Sequence, residues 1–526
     1  MPTSRKSRRA CVITRTRYPG STATTWPIRV EHPMTDTNHP NAIIVMVDQM
    51  KATASHLYGR HGIRTPGLER LARLGVRYEH ATTPHPLCVP ARVAMWTAMN
   101  PHRTGCTVNR TPMPGGMPHA ARWWKEHGYE LALLGKNHCF AETEDYDLFD
   151  VWCEIEHYGF RDRLPHYGFK EGAPDAESPK GMDWVESEHL VTAAHAVRND
   201  MPSPRGGVSS YAATGFEHRH YSTGLLSNQA DAYIRQVHER PFVLWLSVPD
   251  PHVPYETPIH FFEQATAQRV ELPPPGPVPD VDLPVRNRIL SRIMRWPDEH
   301  VDDLRNVVAA YHANVLHIDK LIGRLLDTLE ETEQLGETIV VFCADHGDFA
   351  GEHQMAAKGG VLYDCLVRVP MIVAAPERFP QDELVLSPVS LVDVVPTLFR
   401  LQGLELPGGL DGQPMRPCPG AKERAFGYSL YGARGPAFTM EQLETTVPST
   451  GHAALFKTVV HREPEGDRSM IRNAQWKLVH DPMGDLDELY CLESDPYEHR
   501  NLAHDGRHAA LKRELMTELY RWRRWS

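Results

Sequence analysis

Six residues of types that bind metals, move protons or hold anions recur at one kind of place in this chain. Asp48 directly follows the apolar run AIIVMV, Lys136 and His138 follow LALLG, His252 follows FVLWLSVPDP, and Asp345 and His346 follow TIVVFCA. Any one of them alone reads as an ordinary loop residue. Four strand ends loaded with Asp, His and Lys instead mark the edge of an open α/β sheet where ligands bind. Asp48, Asp345 and His346 are hard-to-borderline donors suited to a divalent ion. Lys136 and Lys358 add positive charge for an anionic substrate.

These positions presuppose strands. Short continuous apolar runs at Ala42–Val47, Leu131–Leu134, Phe242–Ser247, Thr338–Cys343 and Met371–Ala374 fit strands buried on both faces. Helical segments lie between them. The clearest spans Asp302–Leu335, with Leu304, Val307, Tyr311, Val315, Ile318, Ile322, Leu325 and Leu329 at spacings of three and four that make one face. The alternation predicts an α/β fold, a sheet with helices on both sides. The stretch ELPPPGPVPDVDLP (271–284) cannot be regular helix or central strand and is expected as a surface excursion near the site. The Gly/Pro-rich connection LQGLELPGGLDGQP sets residues 41–400 apart from a smaller unit, 401–526. The last helix, Ala509–Trp525, carries Leu511, Leu515, Leu519, Trp522 and Trp525, a stripe for core packing or for a contact between copies in a homo-oligomer.

The chain's 526 residues suit one large domain plus a smaller one. A net charge of -11, from 56 basic and 67 acidic residues, argues against nonspecific nucleic-acid binding, which needs a basic footprint. No apolar run approaches membrane-span length. The nine cysteines are odd in number and show no CxxC pair, which fits a reducing compartment and a cytoplasmic location. Residues 1–40 carry seven Lys/Arg and two Asp/Glu but no apolar core of a secretory signal. They read as a non-native or disordered extension, with Met34 as the start, or else as a basic targeting arm.

The segment HPLCVPARVAMWTAMNPHRTG (85–105) is the most specific signal. Cys88-Val89-Pro90-Ala91-Arg92 resembles the C-x-P-[SA]-R signature of the sulfatase family, in which the cysteine is oxidised to Cα-formylglycine. The resemblance extends from Asn41 over nearly the whole chain. Asp48-Gln49, Gly135-Lys136-Asn137-His138, Pro251-His252-Val253-Pro254-Tyr255 and Asp345-His346-Gly347-Asp348 with Gly351-Glu352-His353 resemble the family's motifs, and Lys358 lies at the expected distance beyond. Trp476-Lys477-Leu478, Leu489-Tyr490, Asp495-Pro496-Tyr497-Glu498 and Asn501-Leu502 resemble its C-terminal subdomain. The resemblance implies an alkaline-phosphatase-like α/β core, its mostly parallel sheet flanked by helices, with a small C-terminal α+β subdomain. Gln49 replaces a second Asp, and His346 stands where many relatives have Asn. The implied metal ion, held by Asp48, Gln49, Cys88, Asp345 and His346, is therefore Ca²⁺ or Mn²⁺. Ala98 departs from the signature's downstream Gly.

In chemical terms the resemblance implies hydrolysis of a small anionic ester after maturation by a formylglycine-generating enzyme. The aldehyde at position 88 hydrates to a diol. One diol oxygen, acidified by the metal, attacks sulfur or phosphorus and forms a covalent sulfo-enzyme intermediate; the second hydroxyl expels the inorganic group. Arg92, four residues beyond Cys88 and so on the same helix face, would hold the diol. Lys136 and Lys358 would stabilise the transferring group, His252 would protonate the leaving oxygen and His138 would orient the diol. Asn109 resembles an active-site Asn of phosphonate monoester hydrolases, or is a plain loop residue. Those relatives share Asp48-Gln49 and the cysteine motif but usually lack the Lys-x-His pair, so Lys136 and His138 favour sulfate esters over phosphonate monoesters or phosphodiesters. The third reading is a non-catalytic metal-binding relative with Cys88 unmodified.

Overall fold

The computed structural model describes residues 39–157, 179–200, 211–278, 282–445 and 463–525, apart from Arg60 and Val270. The N-terminal arm up to residue 38 lies outside them. Eight strands make the main sheet: β1 (Asn41–Val47), β2 (Gly75–Tyr78), β3 (Glu130–Gly135), β4 (Val151–Glu154), β5 (Phe242–Val248), β6 (Thr338–Ala344), β7 (Met371–Ala374) and β8 (Glu383–Val385). Their order is β8-β2-β7-β6-β1-β5-β3-β4. Every neighbouring pair is parallel except those made by β7, which runs against both β2 and β6. Ile43, Ile44, Val45 and Val47 are fully buried, as central position and two covered faces require.

The register decides where the site falls. Val47 of β1 pairs with Val248 of β5 and Ala344 of β6, and Gly135 of β3 pairs with Ser247. Four strands therefore end in one row, and the residues just beyond them share one edge of the sheet. Gly135 ends its strand at φ 105, where a Cβ would lie 2.0 Å from the Ser247 carbonyl oxygen, so only glycine lets β3 turn there.

Every apolar run read from the sequence is a strand. Three strands of the main sheet were not anticipated: Gly75–Tyr78, Val151–Glu154 and Glu383–Val385, all short and lying toward the two sheet edges, where no long apolar run is needed. Helix α1 (Cys88–Thr97) packs with helices Ala120–Glu126 and Val394–Leu401. Helix α2 (Val301–Glu331) packs with Pro66–Arg73, Ser222–Ile234 and Ile259–Ala267. The expected end of α2 at Leu335 is corrected to Glu331, because the backbone turns through Glu333 at φ 57. The described part of the Pro-rich stretch is neither helix nor strand; Leu272 and Pro273 lie against Gly351.

A second, antiparallel sheet comes next: β9 (Gly427–Gly435), β10 (Gly466–Arg472), β11 (Trp476–His480) and β12 (Glu488–Cys491), in that spatial order. Helix α3 (Ala509–Trp525) buries Leu515 and Leu519 against Ile471, Leu478 and Leu489, so this part of its stripe is core. Both sheets belong to the unit Pro40–Ser526. None of the described helices is long and apolar enough to cross a membrane.

Three buried histidines make stability acid-sensitive. Burial pushes His312 and His317 on α2, and His353, down to about 3. The unfolded chain takes up protons near pH 6.5 and the folded chain does not, so stability falls as pH drops from about 6.5 toward 3. Each histidine contributes ~1.4 kcal/mol per pH unit through the middle of that window. The urea midpoint is expected to fall clearly between pH 7 and pH 5; an unchanged midpoint would show that these rings accept protons in the native state.

Candidate active site

The shared strand edge brings Asp48, Lys136, Asp345 and His346 together around Cys88, the first residue of α1. The Cys88 Sγ lies 3.1 Å from Lys358 Nζ, 3.2 Å from His346 Nε2 and 3.7 Å from Asp48 Oδ1. All ten residues of α1 are buried, and Cys88 itself is only 2% exposed. The helix ends at Ala98 in a left-handed conformation, φ 51. This explains in physical terms why glycine suits the position: a Cβ is strained there. Ala98→Gly is expected to raise unfolding stability by ~1 kcal/mol, read as a higher urea midpoint. A lower midpoint would mean that the Ala98 methyl is held by packing worth more than the strain.

Arg92 is fully buried. One turn along α1, it ties the two metal-type carboxylates together, with Nε 3.0 Å from Asp345 Oδ2 and NH2 3.2 Å from Asp48 Oδ2. Its NH1 donates to Ser247 Oγ at 2.6 Å. Asp345 Oδ1 accepts from the Gln49 and His346 backbone N–H groups at 3.0 and 2.9 Å. Burial alone would push Asp48 up, but Lys136, His252, Lys358 and Arg92 hold it well below the usual carboxylate range. Lys136 Nζ donates to Asp48 at 2.5 Å and to His157 Nε2 at 2.6 Å. Burial disfavours the lysine's charge, yet Asp48 and its neighbours raise its proton affinity.

Lys358 is the hub of the opposite wall. Besides Cys88 it contacts His346 Nε2 at 2.9 Å and His252 Nε2 at 3.0 Å. Both imidazoles turn Nδ1 to a backbone carbonyl, His346 to Gly347 at 3.0 Å and His252 to Val253 at 2.6 Å. Each Nδ1–H donates there and leaves the Nε2 lone pair facing the site. Burial, then Lys358, pushes both rings down, His252 the further. His138, at the left-handed φ of 47, pairs with Glu156 at 3.2 Å; burial and then Lys136 push it down to about 4.

Three residues here, Glu156, His157 and Glu463, had no place in the sequence reading. Glu156 contacts His138, and burial pushes its carboxyl up against the pull of Lys136 and Arg92. The His157 ring stacks on His252 with centroids 3.9 Å apart. Both come just after β4, so the strand-end rule would have found them had Val151–Glu154 been recognised as a strand. Asn109 is also at the site: its Oδ1 accepts from the Val89 N–H at 3.1 Å, and its own N–H donates to Glu463 at 2.6 Å. Glu463 arrives just ahead of β10, more than a hundred residues after Lys358, and sequence offered no signal for it.

Donor atoms of Asp48, Cys88, Asp345 and His346 all lie within 4.8 Å of one another, a set that fits a divalent ion. Gln49 supports the fit. At the left-handed φ of 68 its Nε2 donates to Asp348 at 2.6 Å, while its Oε1 is buried with no hydrogen-bond partner among the described residues. A buried acceptor of this kind needs a partner, and a cation beside Asp48 and Asp345 supplies one. Asp48, His157 and His252 also cluster within 4.8 Å, but that group has one carboxylate, already bound by Lys136. Asp48 and Asp345 face three cations, Arg92, Lys136 and Lys358, a balance that suits an anion.

The chain is similar to known proteins. The sulfatase family model matches residues 40–404. The choline-sulfatase of Rhizobium meliloti is 28% identical over 479 residues, covering 90% of this chain and 84% of that protein. A structure solved in complex with its substrate D-glucosamine-2-N,6-O-disulfate superposes with a TM-score of 0.67 at 19% identity, covering 93% of this chain and 98% of that one. The phosphonate monoester hydrolase of Agrobacterium radiobacter superposes with a TM-score of 0.69 at 20% identity, covering 92% and 95%.

Proposed function

The chain belongs to the sulfatase family of the alkaline phosphatase superfamily, and from that premise we propose that it hydrolyses sulfate esters with a nucleophile made by oxidising Cys88 to Cα-formylglycine. The observation that carries this reading is the convergence on Cys88 Sγ of Lys358, His346 and Asp48 within 3.7 Å. A divalent ion, Ca²⁺ or Mn²⁺, would be held by Asp48, Gln49, Asp345, His346 and the residue-88 side chain. Together the ion and the aldehyde hydrate would supply an acidified oxygen nucleophile that takes the sulfuryl group covalently.

The remaining chemistry falls to side chains. Arg92 fixes Asp48 and Asp345 in place through its charged hydrogen bonds. Lys358 and Lys136 would stabilise the oxygens of the transferring group. His252 would give the leaving oxygen its proton from Nε2. That ring is driven neutral beside Lys358, and a bound anion restores its proton affinity by adding negative charge next to it. His138, buried at the site and paired with Glu156, would orient the nucleophile. Asn109 would hold the N-terminal turn of α1 through Val89.

Lys136 and His138, both drawn into the site, favour sulfate. Asn109 beside the cysteine and Gln49 at the metal favour the second reading, hydrolysis of phosphonate monoesters or phosphodiesters, which are also tetrahedral anionic esters. Protein coexpressed with a formylglycine-generating enzyme and assayed with an aryl sulfate and an aryl phosphonate monoester separates the two. A sulfate rate at least about 10-fold higher is expected; the reverse order would assign the chain to the phosphonate side. Mass analysis of the residue-88 peptide checks conversion, and an intact thiol would leave only a non-catalytic metal-binding role. Eight described cysteines, none in a disulfide, fit a reducing, cytoplasmic setting.

The metal has a readout of its own. Chelation is expected to lower the unfolding temperature, because it leaves Gln49 Oε1 without a partner and takes one cation from the two carboxylates, and added Ca²⁺ or Mn²⁺ should restore it. An unfolding temperature insensitive to both chelator and metal would argue against an ion at these residues.

A further inference from the structure

Gln49 replaces the second Asp of the family's acidic pair, and the contacts of its side chain give the exchange a physical cause. The residue is fully buried, and its backbone is held at the left-handed φ of 68 from both sides. Its N–H donates to Asp345 Oδ1 at 3.0 Å, and its carbonyl accepts from the Tyr311 hydroxyl at 3.1 Å. Its side-chain Nε2 donates to Asp348 Oδ2 at 2.6 Å. Of its polar atoms, Oε1 alone has no hydrogen-bond partner among the described residues.

Asp348 decides which end of that amide faces the site. Its carboxylate is fully buried and collects four donors. Gln49 Nε2 and the Tyr255 hydroxyl meet Oδ2, both at 2.6 Å, and the Ala350 and Ala357 N–H groups meet Oδ1 at 2.7 and 3.0 Å. The Tyr255 oxygen also accepts from the Ala357 N–H at 3.0 Å, so its own hydrogen is committed to Asp348. Four donors fill the acceptor capacity of a carboxylate. A carboxylate takes only donors, so the amide nitrogen must turn toward Asp348 and the amide oxygen away from it. Asp348 itself is outside the group of four residues whose donor atoms lie within 4.8 Å of one another.

We propose that Asp348 is a positioning residue for the divalent ion: it orients the Gln49 amide so that Oε1 is the ligand, and it makes an amide, not an acid, the side chain that fits at position 49. The proposal rests on the metal reading given above. A glutamate of the same shape would put a second carboxylate oxygen 2.6 Å from Asp348 Oδ2, with like charges facing each other in a buried site. The negative charge missing from position 49 is thus offset by a carboxylate placed just behind it. Partners of this kind fix the direction of a ligand atom, and their loss typically costs ~10–100-fold in metal affinity.

The test is an isosteric exchange, read as Kd for Ca²⁺ and for Mn²⁺ by titration calorimetry. It uses the full, chelator-stripped chain from the coexpressed preparation, with the unfolding temperature in chelator as a check of folding. In Asp348→Asn the new amide offers a donor to Gln49, whose oxygen turns to it and away from the ion, so affinity is expected to fall at least about 10-fold. Gln49→Glu alone is expected to bind no more tightly than wild type despite its added charge, because the new carboxylate faces Asp348. Combining the two rebuilds a donor–acceptor pair across the same gap with the partners exchanged, and affinity is expected to return to the wild-type level or better. A general loosening of the loop would give no such rescue. Wild-type affinity in Asp348→Asn, a combined variant no tighter than Asp348→Asn, or Gln49→Glu binding at least about 10-fold more tightly than wild type would each overturn the proposal and leave the metal reading standing. If Asp348→Asn does not fold, Gln49→Glu decides. A wild-type chain that takes up neither ion would overturn the metal reading and this proposal with it.

Discussion

Replacing Cys88 with alanine is expected to lower aryl sulfate turnover by ~10⁴-fold or more, the usual scale when a nucleophile is removed from an assembled site. Alanine keeps the first turn of α1, where the Val89 N–H still reaches Asn109. It removes one sulfur and the only side chain here from which an aldehyde can be made. Lys358 loses one of its three site contacts but keeps His252 and His346. The change in folding stability should therefore be small, ~1 kcal/mol, set by the vacated sulfur volume. Measuring kcat together with the urea midpoint separates the two effects. Turnover within about 10-fold of the converted wild type would rule out Cys88 as the source of the nucleophile, whatever the stability.

Asp345→Ala should do more damage than a missing metal ligand alone. Asp345 is one of two carboxylates facing the fully buried Arg92, and it also accepts from two backbone N–H groups. Its removal leaves Arg92 half-paired and the Gln49 and His346 amides without an acceptor. Breaking a buried pair of this kind costs ~3–5 kcal/mol. Turnover should vanish and the urea midpoint fall even in chelator, where no metal contributes. Asp345→Asn, which keeps the shape and one acceptor oxygen, should recover part of the stability and none of the turnover. An Asp345→Ala midpoint equal to the wild type in chelator would mean that solvent replaces the carboxylate at little cost and that the Arg92 bridge is incidental.

Much of this site was legible because its residues come directly after long apolar runs. AIIVMV and TIVVFCA can hardly be anything but central strands, and the residues just past the end of a central strand have few places to go. Asp48, Lys136, Asp345 and His346 were found that way. The same logic missed Glu156 and His157, because β4 is a short edge strand whose four residues include a glutamate. Arg92 was read from sequence as one helix turn from Cys88, but only the structure reveals that its guanidinium bridges two carboxylates. Glu463 was out of reach altogether: it comes to Asn109 through the turn of the small sheet, and no local pattern encodes a contact between residues 354 positions apart.

The enclosure of Cys88 also sets a schedule. Cys88 is 2% exposed, and the partners of its sulfur include His346, 258 positions later in the chain, and Lys358, 270 positions later. An oxidising enzyme that needs the thiol must reach it while those walls have yet to be synthesised or have yet to close. At ~5–20 residues per second, the ribosome takes roughly 13–50 s to go from Cys88 to His346. On the proposed reading, conversion at position 88 would then be a race between an enzyme and the arrival of the chain's own later strands. Slower elongation between residues 88 and 346 would lengthen the head start.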